Sequence, residues 1–126
     1  MRILTRAAAA AASLAVCIGL QAKTTTGGEL HSWITSNDGA LRLAATMYIV
    51  GVIDDDALMQ AGEMQGMVEH GSGVSHFCPT QYQAKGSALQ HSVARLLDDK
   101  PEYRDAAGVL AVRAALARDY PCRASQ

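Results

Sequence analysis

The chain has 126 residues, 49% of them hydrophobic, with 11 basic and 12 acidic side chains and a formal net charge of −1. That length bounds it to one small domain, and the near balance of charge leaves no basic patch for nucleic acid. Aromatic residues make up only 5%, and the many alanines suit closely packed helices better than sheets.

Residues 1–22 read as a secretory signal peptide. Arg2 and Arg6 form a positive start, Ala7 to Leu20 an apolar run, and the small Ala22 the expected cleavage point. The apolar run is about 14 residues long, short of the roughly 20 that span a bilayer. Cys17 raises a lesser alternative, lipidation as in a lipoprotein signal, although Val16 fits poorly just before it. The chain is therefore expected to be exported, with no stable membrane insertion. Loss of Arg2 and Arg6 leaves nine basic residues against twelve acidic ones, a net charge of −3 for residues 23–126, read as a single domain.

Two cysteines then remain, Cys78 and Cys122. In an exported domain two cysteines most simply form one disulfide. It would close a loop of about 45 residues, for which chain entropy gives a stabilisation of roughly 4 kcal/mol.

Lys23 to Gly28 is a polar lead-in. Leu30 and Trp33 stand three apart in "ELHSWITS", which predicts a first helix over Glu29–Ser36. "SNDG" breaks it, and Asn37 or Asp38 can cap the next helix. That second helix runs from about Gly39 to Glu69. Leu41, Ala44, Tyr48 and Val52 form one stripe, with Leu43, Met47 and Val50 beside it. A helix so apolar is expected to be central and covered on several sides. The period resumes at Leu58, Ala61, Gln65 and Val68, with a kink or break expected near Asp54–Ala57. Gly51, Gly62 and Gly66 are weak points, and Gly51 is expected to admit a close helix neighbour.

"HGSGVSHFCPT" reads as a loop. Thr80 and Gln83 match a capping box and predict the start of a third helix, which runs to about Asp98 with Leu89, Val93, Leu96 and Leu97 inward. Pro101 and Glu102 suit the first turn of a last helix. Its predicted inner stripe is Tyr103, Ala107, Leu110, Ala114 and Ala117, widened by Val112 and Leu116. The expected fold is all-α, a compact bundle of about four to five helices with one disulfide.

Three chemistries bear on these residues. Asp54, Asp55 and Asp56 are consecutive, so on a helix they point about 100° apart and cannot converge on a metal. "DDDALMQAGEMQ" also lacks the register of a calcium loop, and the three read as a solvated turn or helix end. His31, His70, His76 and His91 lack metal-ligand spacing, and His76 with Cys78 has no second cysteine pair to complete a zinc site. They read as surface histidines. A Cys–His hydrolase would need Cys78 as a free thiolate, which an oxidising compartment opposes. No catalytic, cofactor or metal residue is therefore assigned, and the chain is expected not to be an enzyme.

Four segments taken in order, "GELHSWITSND", "YIVGVIDD", "FCPT" and "RLLDDKPEYRDAAGVLAVRAALARDYPC", resemble the Rap/Tai immunity proteins of type VI secretion systems. The most specific parts are Tyr48–Asp54, Phe77–Pro79 and Leu97–Cys122. The resemblance implies a periplasmic all-helical protein that binds an injected peptidoglycan amidase and blocks its active site, with a homodimer as a common assembly. Members often carry a second cysteine pair, where Ile34 and Ala45 stand here, and Met47 replaces a glycine before Tyr48. Trp33, Tyr48, Gly51, Asp54, Pro101 and Tyr120 form the structural signature. Tyr48 and Val52 are expected in the core, and Asp54 is expected to cap or pair.

The candidate partner-binding residues lie on the loop before Phe77: Glu69, His70, Ser72, Val74 and His76. Inhibition by occlusion needs shape and a few buried anchors, not catalytic groups. The alternative is a periplasmic structural or adaptor protein with no toxin partner.

Overall fold

A computed structural model describes residues 23–69 and 75–124. Within them lie four α-helices: α1 (Gly27–Ile34), α2 (Gly39–Met64), α3 (Gly86–Asp99) and α4 (Gly108–Asp119). Short 3-10 turns at Pro79–Tyr82 and Pro101–Arg104 precede α3 and α4. The expected signal peptide lies outside the described residues.

The lead-in residues do more than connect. Thr26 caps α1, its hydroxyl accepting from the Glu29 N–H at 3.2 Å while the Glu29 carboxylate accepts from the Thr26 N–H at 3.0 Å. The capping box is therefore "TGGE" at the first helix. Thr80, where one was expected, lies inside the Pro79–Tyr82 turn, and α3 starts only at Gly86, because Gln83 turns the chain with φ 53°. Around the cap, the Gly27 N–H donates to Ala106 O and the Gly108 N–H to Thr25 O. These bonds fasten the entry of α1 to the entry of α4. A Cβ at Gly27 would lie 2.1 Å from Tyr103 O, so the approach requires glycine.

Asp38, one of the two expected caps, starts α2 by accepting from the Ala40 N–H at 2.8 Å. The helix then runs for 26 residues without the break expected at Asp54–Ala57. It ends at Met64 rather than near Glu69. Gly66 takes φ +69°, the Gly66 N–H donates to Glu63 O, and the Met67 N–H donates to Gly62 O. This is a Schellman stop, and glycine is the residue that adopts its left-handed position readily.

The buried stripe of α2 is Ala45, Ile49, Val52 and Asp56. Tyr48 packs against the core at the edge of that stripe, edge-to-face with Trp33 at 6.5 Å. Leu41, Leu43, Met47 and Leu58 are exposed, so α2 is covered on one side only, contrary to expectation. Among the described residues, a Cβ at Gly51 would meet nothing within 4 Å, and no helix neighbour lies against it.

The α3 stripe of Leu89, Val93, Leu96 and Leu97 is buried as expected. The α4 stripe differs. Pro101 heads a separate turn, and Ala107 is extended (ψ 133°) where it bridges Thr26. Val112 and Leu116 are buried as expected and Ala114 and Ala117 pack at the edge of the core, but the interruption shifts the helical phase so that Ala111 and Ala115 are fully buried and Leu110 is exposed. Leu30 of α1, with these residues and Phe77, completes the core.

Cys78 and Cys122 form the expected disulfide, with Cα atoms 4.8 Å apart. It is framed by a Phe77–Pro121 bridge and by the Cys78 N–H donating to Tyr120 O at 2.9 Å. Tyr120 meets Tyr82 edge-on, and the Tyr82 hydroxyl donates to Pro121 O.

Candidate functional site

Of the five residues placed on the candidate binding loop, His70, Ser72 and Val74 lie outside the described residues, and Glu69 is exposed. His76 is not a surface histidine. It lies between two carboxylates of α2, with Nδ1 at 2.9 Å from Asp56 Oδ1 and Nε2 at 3.0 Å from Glu63 Oε2. Asp56 and Glu63 are seven residues apart, two helical turns, and so share a face.

Asp56 is the centre of this cluster and is fully buried. This overturns its reading as part of a solvated turn. Its carboxylate accepts from Gln60 Nε2 at 2.7 Å, from the Phe77 N–H at 3.3 Å and from Arg113 of α4 at 2.6 Å, besides its contact with His76. Burial alone would push the Asp56 carboxyl up. The hydrogen bonds from His76, Gln60, Phe77 and Arg113 outweigh it and hold the group below its ordinary 3.8. The hydrogen bond with Asp56, opposed by burial and helped by Glu63, holds His76 above its ordinary 6.5. Arg113 also lies over the Phe77 ring, 5.4 Å from its centroid.

The other aspartates separate as helical geometry requires. Asp55 is exposed and makes a loose 3.8 Å contact with Arg113. Asp54 is exposed in mid-helix and neither caps nor pairs among the described residues, contrary to expectation. Every oxygen of the buried carboxylate is engaged by protein donors, and among the described residues no group of three or more metal-ligating side chains gathers. With both ring nitrogens of His76 facing carboxylates, neither is presented to a substrate as a base.

The cluster borders an apolar cleft of about 240 Å³. Ile53, Ala57, Gln60 and Met64 of α2 form one wall; Phe77, Cys78 and Pro79 form the other. Beyond the cleft, Leu43 (61% exposed), Met47 (60%) and Leu58 (72%) lie along α2 on one helical face with Val50 and Asp54. Isolated exposed apolar residues are ordinary; here three share one face of α2, with the charged Asp54 between Met47 and Leu58. A second cleft, of about 440 Å³, lies between α3 and α4 beside Arg95, Arg118 and Asp119. Both arginines are already turned onto Asp119, which also accepts from the Ser92 hydroxyl. This grouping ties the end of α4 to α3.

The described residues form a small helical domain: a disulfide-stapled bundle with an internally saturated polar cluster and exposed apolar residues on its longest helix. The chain belongs to the Rap1a immunity proteins, whose family description matches residues 26–122. That match spans the four described helices and both disulfide cysteines. No curated protein and no solved structure matches the chain. Among the described residues no helix is long and apolar enough to cross a membrane.

Proposed function

We propose that the protein is a periplasmic immunity protein of type VI secretion that binds a secreted peptidoglycan amidase and occludes its active site. Its signal peptide, residues 1–22, would be cleaved, leaving residues 23–126 as one domain. The observation that carries this reading is the match to Rap1a immunity proteins across residues 26–122. The exposed apolar residues on α2 support it, because contact surfaces of this kind supply the buried anchors that dominate binding energy. The protein acts by covering its partner and needs no cofactor or catalytic group of its own.

The contact surface includes the segment from Glu69 to His76, with His70, Ser72 and Val74 among its side chains. The face of Leu43, Met47 and Leu58 extends it or pairs two copies of the chain. Light scattering on the mature protein distinguishes these two uses.

The test is co-purification of the mature chain with a small secreted Cys–His amidase encoded beside it. A stable complex with lost peptidoglycan cleavage is expected. A helical, correctly oxidised chain that leaves the amidase free and active would instead favour an adaptor with no toxin partner.

A further inference from the structure

A neutral imidazole carries one N–H and one lone pair, whereas an imidazolium donates from both nitrogens. His76 has a carboxylate oxygen within hydrogen-bond distance of each nitrogen, Asp56 on one side and Glu63 on the other. Only the imidazolium satisfies both contacts. In the neutral form one lone pair would face an anionic oxygen at about 3 Å, which is repulsive.

Local charge makes the same demand. Among the described residues, the side chains facing His76 are Asp56 and Glu63 from α2, and Arg113 from α4 reaches the group through Asp56. Asp55 is exposed and makes a 3.8 Å contact with Arg113. Protonation of His76 places a positive charge directly between the Asp56 and Glu63 carboxylates. Loss of that proton removes the charge while both carboxylates stay largely buried. Glu63 is 6% exposed and Asp56 0%, so water does little to replace it.

We propose that His76 is a proton-operated clasp: as imidazolium it holds the Phe77–Cys78 wall of the apolar cleft against the α2 wall, and on losing a proton it slackens that attachment. Asp56 joins the two walls directly, since it accepts from the Phe77 N–H while standing on α2. Gln60, which bonds Asp56, also lines the cleft and reaches Phe77 O at 3.4 Å. The protonation state of one side chain therefore acts on both walls. The clasp is a property of the free chain and does not depend on which partner the chain binds.

The test is nitrogen-15 NMR of histidine-labelled, oxidised mature protein between pH 5 and 9, without any partner. At pH 6 both ring nitrogens of His76 should be protonated, with a titration midpoint above 6.5. The Phe77 amide should lose hydrogen-exchange protection around that midpoint, beyond the base-catalysed increase common to all amides, and the Phe77 ring and Met64 methyl signals should shift with it. Glu63→Gln, which removes one facing charge, should lower the His76 midpoint and carry the Phe77 transition with it. A neutral single tautomer at pH 6 would overturn the proposal. So would Phe77 protection that ignores the His76 titration, or a transition that stays in place in Glu63→Gln. Failure would leave the proposed immunity function intact, because no step involves the amidase.

Discussion

Asp56 shows how one carboxylate can serve as a structural hub. It is buried in a helix that otherwise contributes alanine, isoleucine and valine to the core, and such burial is tolerable only because every lone-pair direction finds a donor. Asp56→Asn removes the charge that His76 and Arg113 share and should cost about 3–5 kcal/mol, measured by urea unfolding at pH 6. Asp54→Asn, exposed two residues away, should change stability by less than about 0.5 kcal/mol. The pH dependence has two limbs of opposite sign. Asp56 is held below 3.8, so its contribution is full above that value and lost as pH falls through the lowered pKa. His76 is held above 6.5, so its contribution is full below that value and lost as pH rises through the raised pKa. Unfolding free energy should peak in mildly acidic solution, and His76→Gln should remove the decline on the alkaline side. The position of Asp56 was legible: Ala45, Ile49, Val52 and Asp56 are spaced by four, three and four. Treating the three aspartates as a group hid the one that continues the stripe. Its partners were not legible, because His76 and Arg113 come from segments 20 and 57 residues away.

At the scale of the helices, glycines in similar sequence settings have opposite roles. Gly27 lies where a Cβ would strike the Tyr103 carbonyl. Gly27→Ala must push apart the entries of α1 and α4, and should destabilise by about 3 kcal/mol. Gly51 stands on a regular helix where, among the described residues, a Cβ would meet nothing within 4 Å. Gly51→Ala should stabilise the fold by about 0.5–1 kcal/mol, because alanine loses less backbone freedom in a helix. Thermal unfolding of the two variants checks both signs. The helices themselves were readable from apolar spacing: the third inner stripe and the Asp38 cap are where the sequence places them. The departures lie at junctions. "TGGE" satisfies the capping-box pattern as well as "TQYQ" does, and only the pairing of Thr26 with Ala107 selects the former. That same pairing breaks the last helix after Pro101–Arg104 and brings Ala111 and Ala115 inward beside the expected Val112 and Leu116. No local pattern near Tyr103 signals a bond made to the other end of the domain.

For the molecule as a whole, the disulfide joins the start of the segment before α3 to the residues after α4, across 44 positions of sequence. The double variant Cys78→Ala, Cys122→Ala should lose about 4 kcal/mol by loop entropy, seen as a lower urea midpoint for a chain that remains helical. Among the described residues, the bundle with its staple and saturated polar cluster leaves one long helix uncovered on its outer face. A surface already formed before association limits the entropy lost on binding. Cysteine count and apolar periods made the stapled bundle readable. The uncovered face of α2 was not, since its apolar residues read as core until the structure left them exposed. The most direct test of the proposed inhibition by occlusion is the peptidoglycan-cleaving activity of any secreted amidase encoded beside this chain, titrated with oxidised residues 23–126 at pH 6. Activity should fall linearly to zero at a fixed stoichiometric ratio. Undiminished cleavage in the presence of excess folded protein would contradict it.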